Sequence, residues 1–131
     1  MSKRTIALMG IVLLIGCIIT INLINQPGVK DLKGGFEERA FIRNEQNDGP
    51  VVRIYIVTVQ GEYWEQMIDY GNYMPHTKYG TTKVFFFNAE KYPLEIELTK
   101  PHFRDEFEQY CLGVYEKDGM SQVHLRKYPF R

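Results

Sequence analysis

The chain has 131 residues, and its 16 Lys and Arg are balanced by 16 Asp and Glu, giving zero formal charge at pH 7. With no basic excess and no basic stripe, nucleic acid is not an expected partner. Two cysteines, Cys17 in an apolar N-terminal run and Cys111 far from it, exclude a disulfide inside one folded domain.

Lys3 and Arg4 precede twenty residues, Thr5 to Ile24, that carry no charge and one amide, Asn22. As a helix this run reaches about 30 Å, the thickness of a bilayer's hydrocarbon core. Three readings compete. A retained signal anchor fits the length. A lipoprotein signal is suggested by Leu14-Ile15-Gly16-Cys17, which resembles a bacterial lipobox and makes Cys17 the candidate lipidation site. A cleaved signal peptide would have a shorter apolar core. The anchor leads, because apolar residues continue past Cys17 where a lipoprotein has a polar tether. Lys30, Lys33 and Arg39 follow the segment, so the positive-inside balance is close. The short cationic head favours N-in, placing the rest in the bacterial periplasm or outside the cell; lipid anchoring is the alternative.

The expected organisation is residues 1–26 as anchor, 27–50 as flexible tether and 51–131 as one small domain. The tether is rich in turn residues at 26–28, 33–35 and 44–50, interrupted by Phe36, Ala40, Phe41 and Ile42, which suit a short edge strand or helix turn.

Residues 51–59 form a β-branched run of the kind buried on both faces of a sheet. Gly61 ends it, and Trp64, Met67, Ile68, Gly71 and Met74 recur at helical spacing over 62–73 until Pro75. A loop at 76–80 leads to an aromatic strand at 81–88, and a strand–helix–strand unit of this length predicts parallel neighbours. Leu94, Ile96 and Leu98 alternate with Glu95 and Glu97, the pattern of a short strand. Pro101 suits a helix start, with Phe103, Phe107, Tyr110 and Cys111 as its apolar stripe. Asp118-Gly119 predicts a two-residue hairpin turn that sets Val114 opposite Val123 and Leu112 opposite Leu125 on one face. The whole reads as an α+β domain of order β-α-β-β-α-β-β, a mixed sheet with helices on one face, Trp64, Ile68, Phe103 and Phe107 meeting the sheet.

Chemistry-bearing residues are scattered. His76, His102 and His124 fall in separate elements with no metal-ligand spacing, and no cofactor motif is present. Cys111 reads as a buried apolar residue. The cluster Arg126, Lys127 and Arg131 reads as a solvated tail. The stretch with most recognition chemistry is 70–80, where Tyr70, Tyr73, His76, Lys78 and Tyr79 form the candidate recognition surface. The leading expectation is a non-catalytic, membrane-anchored extracytoplasmic interaction module with a protein partner. Its rivals are a small envelope lipoprotein lipidated on Cys17, and an envelope enzyme whose residues converge only in the fold. A pair among His76, His102, His124 and Cys111 at hydrogen-bonding distance would favour the enzyme. A membrane-complex subunit packing through Gly10, Gly16 or Asn22 is a further possibility.

Overall fold

The computed structural model describes residues 2–25, 28–44 and 49–131. The turn-rich stretches at 26–27 and 45–48, and the Asn22 side chain, lie outside the described residues. The N-terminal run is one helix, α1 (Lys3–Asn25), long and apolar enough to cross a membrane. Cys17 lies exposed on it.

The rest is a mixed α+β unit built on a sheet of five strands: β1 (Glu37–Arg43), β2 (Val52–Val59), β3 (Thr81–Asn88), β4 (Cys111–Lys117) and β5 (Val123–Lys127). The spatial order follows the chain order. β2 and β3 are parallel, joined by α2 (Trp64–Tyr73), and every other neighbouring pair is antiparallel. Period-two alternation divides the side chains between the faces. Tyr55, Val57, Val59, Val84, Phe86 and Tyr115 pack against α2. Ile54, Ile56, Phe85, Phe87 and Val114 face the other way. β2 is buried on both sides because both faces are covered, as its near-continuous β-branched run predicts.

The α2 face is shaped by Met67, Tyr70 and Gly71, all buried, with Trp64 and Met74 at its margins. Ile68, expected on this face, is only half-buried. Gly71 permits the close approach: a Cβ there would overlap the Tyr115 ring.

Four expectations are corrected. Within the expected 27–50 tether, the interruption at 36–42 takes the edge-strand form of its two expected alternatives, as β1, while Val29, Leu32 and Phe36 before it pack on the α2-side core, so the stretch is not a free tether. The sheet thus starts at Glu37 rather than at residue 51. Residues 94–98 form no strand, since β3 is already paired on both edges by β2 and β4 and offers no free ladder. Leu94 is instead 68% exposed, and the Glu97 amide donates to the His102 carbonyl (2.7 Å) to close a loop.

The second helix is not an α-helix starting at Pro101 but a 3₁₀ helix, Asp105–Tyr110, and Cys111 already opens β4. Six residues between Arg104 and the strand are too few to repay α-helix nucleation. The 89–110 segment covers the face opposite α2, so the helical elements are not on one face. Phe103 carries that packing, edge-on to Phe85, Phe87 and Phe130. Phe107 is only partly buried.

The hairpin register differs by an odd number of residues. Tyr115 pairs with Leu125 and Lys117 with Val123, so the connection runs over Asp118–Gln122. Asp118 organises it: its Oδ1 accepts from the Met120 and Gln122 amides (both 3.0 Å), and its carbonyl accepts from the Ser121 amide (2.9 Å). Ser121, at φ 61, is the left-handed residue of the loop. Gly119 serves another purpose, since a Cβ there would stand 3.2 Å from the Tyr79 carbonyl. An odd shift turns β5 over relative to β4. A bulge at Leu112 adds to this, because Phe86 pairs with Gly113 while Phe87 pairs with Cys111. Leu112 and Leu125 therefore join the α2 side, and Val114 lies on the other.

Candidate functional site

On the face opposite α2, the sheet and the 89–110 segment border a partly open cavity of about 390 Å³. Its floor is set by β-strand alternation. Lys83 and Phe85 project from β3, and Arg126, paired with Val114 across β4–β5, projects from β5. Its roof is Lys100, Pro101, His102 and Phe103, with Glu108 on the 3₁₀ helix and Pro129 and Phe130 from the C-terminus. Three phenylalanines thus line a space bordered by three cations.

Lys83 is the most constrained cation, with 12% of its side chain exposed. Its Nζ lies 3.7 Å from Glu116 Oε1, its cross-strand neighbour, and 3.4 Å from His102 Nε2. His102 Nδ1–H donates to the Glu97 carbonyl (2.8 Å). That bond places the ring proton on Nδ1, so in the neutral ring Nε2 accepts from the Lys83 ammonium. Burial holds the Lys83 pKa below the usual lysine value; Glu116 opposes this, and nearby Lys100 and Arg126 push it further down. His102 is likewise depressed, first by burial, with Lys83 and Lys100 adding to the effect and the Glu97 carbonyl opposing it. Burial leads both shifts, and the neighbouring cations add to them in the same direction.

The residues singled out by sequence are divided by the fold. Tyr70 is a core residue, 3% exposed and packed on Phe36 and Phe86, and does not belong to a recognition surface. His76 is half-buried, its Nδ1 2.9 Å from Thr82 Oγ1, and its buried Nε2 has no hydrogen-bond partner among the described residues. Tyr73, Lys78 and Tyr79 are exposed, with Lys78 Nζ 5.1 Å from the Tyr79 ring centroid. Arg53 donates to Thr77 Oγ1 (2.8 Å) and the Thr82 hydroxyl to the Pro75 carbonyl (3.2 Å), so the loop is braced.

His102 is in the cavity, His76 beside Thr82, and His124 lies 3.6 Å from Asp118. Cys111 is buried, its thiol 3.5 Å from the Gly113 carbonyl, and burial pushes its pKa up to about 12. No hydrogen bond joins any two of His76, His102, His124 and Cys111 among the described residues. Nor do three His, Cys, Asp or Glu converge there as metal ligands.

The cavity's residues were missed for two reasons. Lys83 sits inside an otherwise apolar strand, a signal open to reading as charge on a buried face. Arg126 reads as part of a small solvated cluster, and the expected two-residue turn sets it on the face away from Val114, whereas the observed register pairs it with Val114. The rest of that cluster is exposed, each cation lying over a ring: Lys127 Nζ is 5.2 Å from the Trp64 ring centroid, and the Arg131 guanidinium 4.2 Å from that of Tyr128. No family model matches the chain, and neither a curated protein nor a solved structure is found to be similar to it.

Proposed function

We propose that this chain is a non-catalytic binding module anchored by α1, presented on the outer side of a bacterial membrane, with the cavity between the sheet and the 89–110 segment as its ligand site. The observation that carries the reading is a partly open cleft of about 390 Å³, within the size range of small-ligand sites and lined by Phe85, Phe103 and Phe130. Binding is favoured over catalysis because the cavity's one histidine has both ring nitrogens engaged and the single domain thiol is protonated at neutral pH. The charged head at Lys3 and Arg4 supports the N-in orientation.

Fragment screening by NMR, with the full chain in nanodiscs, tests this. Shifts should cluster at Phe85, His102, Phe103 and Phe130, with fragments recovered chemically unchanged. Clustering elsewhere, or turnover of a fragment, contradicts the reading.

A second reading, protein contact through Tyr73, Lys78 and Tyr79, is favoured by one observation. Tyr79 is 65% exposed, and the neighbouring hairpin tip presents Met120 to solvent. Tyr79→Ala with Met120→Ala should then remove a partner that co-purifies in mild detergent, whereas an unchanged set of co-purifying proteins speaks against it.

A further inference from the structure

We infer that the cavity takes a ligand made of one anionic group joined to an apolar, ring-sized body. This rests on the cavity being a ligand site, and it adds the chemistry of the occupant.

Lys83, Lys100 and Arg126 converge on one space, and each of the latter two disfavours the charged state of the first. Glu116 engages Lys83 from the neighbouring strand, but Lys100 and Arg126 make no ion pair among the described residues. Among the described residues Glu108 is the only carboxylate lining the cavity, against three cations, so the lining is net positive. Like charges gathered around a partly desolvated space repel, and an anion entering there relieves the repulsion while forming charge-assisted hydrogen bonds. Arg126 offers a planar fork suited to a carboxylate, sulfonate or phosphate.

Charge alone is not the whole match. Phe85, Phe103 and Phe130 present aromatic surface to the same space, with Phe103 held edge-on between the other two at centroid distances of 5.2 and 5.7 Å. An inorganic anion leaves that surface wet, and a neutral apolar molecule leaves the cations unpaired. A ligand with both parts satisfies both. Its acid group has two possible sources, a free organic acid or the headgroup of an anionic lipid, which share this chemistry.

The test uses the full chain in phosphatidylcholine nanodiscs, with NMR signals of Phe and His followed during titration. The probes are 2-naphthoate, its neutral counterpart 2-naphthamide, and inorganic phosphate. 2-Naphthoate should shift Phe85, His102, Phe103 and Phe130 saturably, and each of the other two probes should bind at least about tenfold more weakly. The double variant Lys100→Gln with Arg126→Gln, at two exposed positions, should weaken 2-naphthoate about tenfold or more and leave 2-naphthamide unchanged. Equal binding of acid and amide, or a double variant that binds the acid as the parent does, overturns the anion assignment and leaves the cavity a ligand site. No response at these four residues to any probe overturns both. In phosphatidylglycerol nanodiscs, shifts of the same residues before any probe is added identify the lipid headgroup as the acid. Unchanged spectra there, with 2-naphthoate still binding, identify a free organic acid; each result supports the class.

Discussion

Gly71 and Tyr115 meet where α2 rests on the sheet, and the contact decides the sign of a substitution. Alanine at a helix interior gains about 1 kcal/mol over glycine from backbone preference. Here the added methyl would overlap the Tyr115 ring, which is fully buried and whose hydroxyl donates to Asn72 Oδ1 (2.8 Å). Overpacking of this kind costs about 1–3 kcal/mol. Gly71→Ala should therefore lower stability in chemical denaturation of the full chain, and a stabilised variant would mean that α2 stands off the sheet. Cys111 gives a chemical test of its burial. With its thiol held near a pKa of about 12, the Cys17→Ser chain should resist a thiol-specific reagent at pH 8 until denatured.

The two buried-side histidines set a pH dependence. Both His76 and His102 titrate below the ordinary 6.5, in each case first through burial. Below pH 6.5 the unfolded chain binds more protons than the folded one, so stability falls as pH drops through that value and is fully present above it. Tm should decrease between pH 7.5 and 5.5, and the decrease should shrink in His102→Gln. A Tm flat across that interval would place both rings in water.

Elements were readable where local pattern and burial agree. The β2 and β3 strands follow from their β-branched and aromatic runs, α2 from its helical spacing, and the parallel pairing of the strands from the length of the crossover. The 89–110 segment defeats the same logic. Alternation at Leu94, Ile96 and Leu98 describes which residues are apolar, but a strand needs a free edge, and edges are a property of the finished sheet. The hairpin fails for a different reason: Asp118-Gly119 is a genuine turn signal, yet Asp118 uses its carboxylate to hold a longer loop, and glycine is required by the Tyr79 carbonyl beside it. Cross-strand contacts between Lys117 and Val123 in NMR support the observed register, while contacts between Val114 and Val123 would restore the shorter turn. Arg126 shares the Val114 face, and so borders the cavity, only in the observed register. Phe103 now carries the segment's packing, so Phe103→Ala should cost about 3–5 kcal/mol. Glu106→Ala, on an exposed residue whose ion pair to Arg104 spans 4.0 Å, should change stability by less than about 0.5 kcal/mol.

For the molecule as a whole, position and chemistry come from different parts of the chain. α1 supplies an apolar span with two cations at its head, and the sheet supplies a cavity with cations at its rim and phenylalanines in its walls. The packing of Val29, Leu32 and Phe36 on the α2-side core means that little free chain separates the two. On the proposed reading, the mature chain keeps its N-terminal segment, without lipid on Cys17. The intact mass of the protein recovered from carbonate-washed membranes tests this most directly. The predicted result is an unlipidated chain that retains α1 and stays in the membrane pellet; a mature chain beginning at a lipid-modified Cys17, or a soluble chain lacking the segment, would contradict it.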